Sequence, residues 1–343
     1  MKIERNLIGG LITLGLLLGL LNTAPVHAQT TIRIGHTDNQ RPFDSPHAAM
    51  SVVFKAVLER ETLGQIKVNI FPSSQLGKER EMMESLKLGS MGAVIITEGT
   101  TVNFFAPMGV FGIPFLYPSI DVAWKVIDGP FGQKLKEAMR KETGLRIVGT
   151  AAPGPFRNFG TKKPVRKLED LKGLRIRTMQ HPGHQAMVKA LGASPTPLPF
   201  GEVYSAIKTG VVDGLELPYQ AILNMKLDEV IDYVIVDGHL FNQTFLFVND
   251  KWFSSLPPDH QAAVLKAGKA AQAAGRGLVQ VWESVGAEEL RAKGVELYFP
   301  TAEQHQQFKN LAQPAVLSML RKEVDKKWID GILKAVEEAS GAK

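Results

Sequence analysis

Cysteine is absent from the 343 residues, which removes disulfides, thiolate catalysis and cysteine-ligated zinc together. In an oxidising compartment the same absence removes the hazard of mispaired thiols. Charge of one sign is also lacking, since 40 basic residues face 34 acidic ones for a formal net charge of +6. The cations are scattered and no Lys/Arg block carries interleaved aromatics, so the footprint of a nucleic-acid binder is missing. There is no G-x-S-x-G elbow, no H-E-x-x-H pair, no Walker loop and no G-x-G-x-x-G turn. No cofactor is implied. Among the 8 histidines, His181 and His184 have the spacing of one helix face. Pro182 and Gly183 between them favour a loop or first turn, and no metal is expected.

Long apolar runs are confined to the N-terminus. Lys2 and Arg5 precede an apolar run from Leu7 to Leu21, followed by a turn at Asn22 to Pro25 and by Val26-His27-Ala28. That stretch is shorter than the ~20 residues needed to cross a bilayer, and small residues stand where a signal peptidase cuts. The reading is a signal peptide over 1–28, cleaved after Ala28, and a periplasmic protein.

About 315 residues remain, more than one hydrophobic core usually serves, so two lobes are expected. Strand and helix patterns alternate through the first 240 residues or so, the mark of an α/β architecture. Ile32 and Ile34 alternate with polar neighbours; a helical pattern from Met50 to Leu58 ends at Gly64; Ile66, Val68 and Ile70 form a second alternating strand. A helix is predicted from about Leu76 to Leu88 and a buried strand at Ala93 to Thr97. A comparable order returns after Ala151: a strand at Leu174 to Thr178, a helix to Leu191, a turn-rich connection from Gly192 to Pro199, a helix at Glu202 to Thr209 and a strand at Val211 to Leu215. From Pro258 to Lys293 the sequence is rich in helix formers and predicts one helix of some 30 residues, ~45 Å long. Gly275 and Gly277 are candidates to cap or kink it.

In open α/β sheets, ligands sit at the carboxyl ends of strands. Arg157 and Arg177 lie at such places early in the second lobe, and the planar fork of arginine suits a carboxylate. Taken alone, each reads more readily as a solvated surface charge than as a ligand contact. Arg175 shares the alternation of Arg177, so periodicity does not choose between them.

Five phrases carry a resemblance: "IFPSSQLGKEREMMESLKLGSMG", "IPFLYPSIDVA", "KLEDLKGLRIRT", "ALGASPTPLPFGEVYSAIKTGVVDGLE" and "GHLFNQTFLFVND". In this order and over most of the chain, they resemble the periplasmic solute-binding subunit of tripartite ATP-independent periplasmic (TRAP) transporters, the DctP-type family. The resemblance implies a two-lobed α/β binding protein of type II character, with a hinge and a long C-terminal helix crossing both lobes. Lobe 1 would comprise 29–153 with a return segment 243–282, and lobe 2 would comprise 154–242 with 283–343. It implies capture of a small organic carboxylate without chemistry, delivery to the membrane permease subunits, and a monomer.

The same resemblance makes Arg177 in "GLRIRT" the carboxylate anchor and Arg157 in "GPFRNFG" its second. Glu98 stands where some members orient a ligand hydroxyl or amine, and Phe200 resembles an aromatic residue that packs over the ligand. His239, Asn242 and Gln243 fall where the chain returns to the first lobe, and Thr37 and Asp38 follow the first strand. The sequence departs from the pattern at "DGLELP": after Glu216, also counted with the site, Leu217 replaces an asparagine that contacts the carboxylate. The substitution predicts a less polar pocket, suited to larger or less polar acids. Two rival readings remain, a periplasmic enzyme using Glu98 and His239 on an organic acid, and a ligand-sensing module for a receptor.

Overall fold

A computed structural model of the chain describes residues 29–154 and 156–341; the expected signal peptide lies outside the described residues. The strands are β1 (Thr30–Gly35), β2 (Ile66–Phe71), β3 (Ala93–Thr97), β4 (Leu145–Ala151), β5 (Phe156–Thr161), β6 (Arg175–Thr178), β7 (Ser194–Pro197), β8 (Gly214–Leu217), β9 (Tyr233–Phe241), β10 (Thr244–Asn249) and β11 (Glu296–Tyr298). The helices are α1 (Pro46–Glu61), α2 (Glu79–Lys87), α3 (Glu98–Thr101), α4 (Ile120–Asp128), α5 (Pro130–Thr143), α6 (Pro182–Ala190), α7 (Val203–Lys208), α8 (Tyr219–Asn224), α9 (Asp250–Ser255), α10 (Pro258–Ala292), α11 (Ala302–Glu323) and α12 (Lys326–Ala339).

The strands make two sheets, five strands in the order β2-β1-β3-β10-β4 and six in the order β11-β9-β5-β8-β6-β7. In the first, β1 lies parallel to β2 and β3, so the expected β-α-β-α-β order is a pair of parallel crossovers. β3 is buried at every position, as its unbroken Ala-Val-Ile-Ile-Thr run requires of a strand covered on both faces. In the second sheet β6 is parallel to β7 and β8. The stretch read as a turn-rich connection contains β7. Pro195 and Pro197 hid it, because proline cannot donate to a ladder, and β7 accommodates them by being the edge strand.

Two strand-to-strand passages join the sheets: β4 to β5 through Ala152–Gly154, and β9 to β10 through Asn242 and Gln243. A third connection is α10, whose 35 residues span roughly 52 Å at 1.5 Å each. Its first half lies on α1 and β4 and its second half on α8 and β11, so it does cross both lobes. Neither glycine caps it, since the helix runs on past both. Gly275 is buried where a Cβ would meet Met50 and Ala151, and Gly277 faces open space. The close approach belongs to Gly268, whose Cβ would stand 2.2 Å from the Val148 carbonyl oxygen. Beyond α10 the chain divides its contacts, α11 packing on α6 and α12 on α4 and α5.

Candidate functional site

The cleft between the sheets is floored by the carboxyl ends of strands from both. Its inner part is lined by Thr37, Asp38, His47, Glu79, Thr97, Pro153, Arg157, Arg177, Met179, Phe200, Leu217, Ala221 and Asn242. Several polar contacts cross its lips. Lys78 Nζ meets Glu202 Oε1 at 2.7 Å, Gln220 Nε2 donates to the Asp44 carbonyl at 2.7 Å, and Asn103 Nδ2 donates to the Gln180 carbonyl at 3.3 Å. The lobes are therefore closed.

Arg177 leaves β6 into the cleft. Its Nε and Nη2 both donate to the Leu198 carbonyl, at 3.0 and 2.6 Å, while buried Nη1 has no protein partner. Burial lowers its pKa to about 10, so it remains charged at neutral pH. Arg175, of the same parity, is half-exposed and spent on Asp213, with Nη2 to Oδ1 at 2.7 Å. The alternation that left these two arginines equivalent is broken by their position along the strand: Arg177 is nearer the carboxyl end and enters the cleft.

Arg157 is more tightly committed. Its Nε and Nη2 grip the Glu216 carboxylate, Nη2 also donates to the Glu216 carbonyl at 2.6 Å, and Nη1 donates to Asn242 Oδ1 at 2.9 Å. Its last donor faces the Met179 sulfur at 3.7 Å, a weak acceptor that a carboxylate oxygen would displace. Beside the Arg157 guanidinium, the Glu216 carboxyl is held well below its usual range despite burial.

The first-sheet side of the cleft is acidic. Glu79, the first residue of α2, accepts from the Thr97 N–H at 3.1 Å and from the Thr97 and Thr100 hydroxyls at 2.9 and 2.5 Å, with no direct salt-bridge partner among the described residues. Asp38 accepts from Ser45 Oγ at 2.6 Å and lies 3.3 Å from His47 Nδ1. Thr244 Oγ1 donates to the Ile96 carbonyl, so at 2.9 Å it must accept from His47 Nε2–H. Nε2 therefore carries a proton, and Asp38 beside Nδ1 raises the His47 pKa against the opposing effect of burial. Asp38 in turn is lowered to about 2: desolvation alone would raise it, but the His47 charge, the hydrogen bonds from His47 and Ser45 and the nearby His36 together overcome it.

Of the residues singled out in the sequence, Thr37, Asp38, Arg157, Arg177, Phe200, Leu217 and Asn242 line the cleft. Glu98, Glu216, His239 and Gln243 do not; all four are buried behind its wall. Glu98 receives His184 Nε2–H at 3.0 Å, and His239 Nδ1–H donates to Asp237 at 2.9 Å. Glu79, His47 and Met179 escaped the sequence reading. Glu79 had a signal, an acidic residue opening a helix two positions after Gly77, but the helical pattern absorbed it.

Glu98, His181 and His184 place their ligating atoms within 4.8 Å of one another, yet their chemistry does not fit a metal. His181 Nδ1 accepts the N–H groups of Gly183 and His184, at 2.8 and 3.3 Å, as the N-cap of α6. Its proton is therefore on Nε2, which leaves no lone pair there to coordinate a cation.

The family model DctP, bacterial extracellular solute-binding protein family 7, matches residues 38–323. A solute-binding protein of Verminephrobacter eiseniae is 34% identical over 79% of this chain and 80% of its own length. Among solved structures, a TRAP periplasmic solute-binding protein from Bordetella, with density assigned to pantoate, is similar at TM-score 0.83 and 30% identity, covering 90% of this chain and 99% of the other. The sugar-acid-binding protein of Advenella mimigardefordensis, in complex with galactonate, is similar at TM-score 0.86 and 27% identity, covering 91% and 99%.

Proposed function

The chain belongs to the DctP family of bacterial extracellular solute-binding proteins, the TRAP-transporter subunits that bind solute for transport and do not turn it over, and we propose that its own cargo is a small hydroxylated monocarboxylate. The observation that carries this reading is the contrast across the cleft. Arg177 is a buried cation with a free Nη1 and no carboxylate in direct contact among the described residues, and Glu79 across the cleft likewise has no direct salt-bridge partner among them, Arg177 and His47 acting on it only through space.

A carboxylate on the Nη1–Nη2 edge of Arg177 completes its hydrogen bonds, and closure strengthens the attraction by lowering the local dielectric. Hydroxyl groups at the other end of the cargo donate toward Glu79 and Asp38. A second carboxylate there would face Glu79 and Asp38, of which only Asp38 is paired among the described residues, with His47. Leu217, Ala221, Pro153 and Phe200 supply an apolar flank, suited to the carbon skeleton of an acid such as pantoate, one of the acids seen in the similar structures. The sequence-based preference for a less polar acid is thereby narrowed to one with an apolar side and hydroxyl donors.

The cargo would be collected in the periplasm after removal of residues 1–28 and passed by a monomer to the permease subunits. Native mass spectrometry of purified protein identifies any retained acid, and a thermal-shift panel ranks pantoate, galactonate, succinate, malate and aromatic acids. A ligand that binds only the folded state raises its melting temperature by mass action. Pantoate should stabilise more than galactonate, and both more than the dicarboxylates. Succinate or malate at the head of the ranking would refute the reading.

A further inference from the structure

Behind Arg157 lies a second set of ionisable groups that the ligand does not reach. Glu98 opens α3, directly after the first-sheet strand β3, and its N–H donates to the Gln243 carbonyl at 3.0 Å, in one of the passages between the sheets. His184 belongs to α6, which follows β6 of the second sheet. Their side chains are 1% and 0% exposed, and Nε2–H of the histidine meets Oε1 of the glutamate at 3.0 Å. Each side chain comes from a different lobe.

We propose that Glu98 and His184 form a buried clasp between the lobes, fastened by the proton that His184 carries, so that closing the cleft is linked to proton uptake. His184 is also a positioning residue. Its Nδ1 lies 3.7 Å from Glu216 Oε1, and Glu216 in turn grips Arg157, so the clasp reaches the cleft wall through two further side chains.

The charged and titratable groups facing His184 are Glu98 from α3, Glu216 from β8, and His181 from its own helix, whose ring stacks on it at 4.4 Å between centroids. Behind Glu216 stand Arg157 from β5 and His239 from β9. From α11, packed on the other side of α6, the buried residues are the uncharged Phe308, Ala312, Val316 and Leu320. Burial alone would lower the pKa of His184, but the two carboxylates outweigh it and the net displacement is upward. His181 shows the opposite outcome, lowered to about 3 by burial and by the neighbouring His184 charge.

When the lobes part, Glu98 and His184 separate into water and the histidine returns toward its ordinary value. The proton therefore favours the closed form. Its contribution is complete below the ordinary histidine value of 6.5 and fades as pH rises through the raised value. Each unit by which closure raises that pKa is a tenfold change in the closed-to-open ratio between the two ends of the titration.

The test uses the absence of cysteine and needs no ligand, so its failure is separate from any error about the cargo. Lys78→Cys and Glu202→Cys, bridged by a flexible bismaleimide, trap the closed lobes. Histidine-labelled protein is then titrated by NMR, with His184→Gln assigning the resonance. His184 should titrate above the ordinary histidine value in the trapped protein, and Glu98→Gln in the trapped background should bring it down. An ordinary or lowered value in the trapped protein, or a raised one indifferent to Glu98→Gln, overturns the clasp.

Discussion

Replacing Arg177 by methionine should separate binding from stability, with opposite signs. The side chain is fully buried, and its pKa falls from 12.5 to about 10, with desolvation the largest cause. That drop corresponds to roughly 3 kcal/mol by which the ligand-free site disfavours the charge. Against this stand the two hydrogen bonds to the Leu198 carbonyl, whose loss leaves an acceptor unpaired at a cost of about 1–3 kcal/mol. The terms nearly cancel, so the ligand-free Arg177→Met protein should melt within a few degrees of the parent. Binding loses without compensation, because truncating one partner of a desolvated charge pair costs ~2–5 kcal/mol, or roughly 30- to 4,000-fold in affinity at about 1.4 kcal/mol per tenfold. Arg177→Lys should recover little, since a point charge does not reproduce the two-donor edge. Arg175→Ala, which loses only an exposed pair with Asp213, should bind as the parent does. Calorimetry with the best acid of the panel decides. Parent-like binding by Arg177→Met, or failure of Arg175→Ala instead, would show that the anchor has been misassigned.

Three further outcomes are expected. Glu79→Gln keeps an acceptor for Thr97 and Thr100 but removes the charge facing the cargo, so succinate should gain about tenfold or more relative to pantoate; an unchanged ratio in competition calorimetry refutes the electrostatic filter. Asp38 has a lowered and His47 a raised pKa, so their pair contributes fully between about pH 3.8 and 6.5, losing strength as pH falls toward 2 or rises past the His47 value. The destabilisation by His47→Gln, read from melting curves, should accordingly be largest inside that window, and a penalty that grows with alkalinity would contradict the pairing. Gly268→Ala should cost about 1–3 kcal/mol by overpacking against Val148, whereas Gly277→Ala, open to solvent, should be neutral or slightly stabilising. Equal denaturant midpoints for the two would rule out the close approach.

Local pattern carried most of the architecture. The alternation at Ile66 to Ile70, the unbroken run at Ala93 to Thr97 and the helix formers of α10 each fix an element, because the face a residue buries sets its period. β7 was invisible for the converse reason, since its proline pattern has no meaning until a neighbouring strand makes it an edge. The cleft was legible only through resemblance. A buried carboxylate looks like a surface one in sequence, and its partners are remote: Glu98 meets His184 across 86 positions and Arg157 meets Glu216 across 59. Glu98 was therefore assigned to the ligand, while the structure gives it to a histidine.

The long helix α10 is held unevenly. From Ala263 to Gly275 small residues recur every turn and sink its backbone onto α1 and β4; beyond that, Val279, Gly286 and Leu290 are its only buried positions. It is in effect a beam clamped at one end and propped at the other. When the second sheet swings relative to the first, the clamped end has no slack, so flexure falls on the stretch between Gly275 and Gly286, where the side chains grip least.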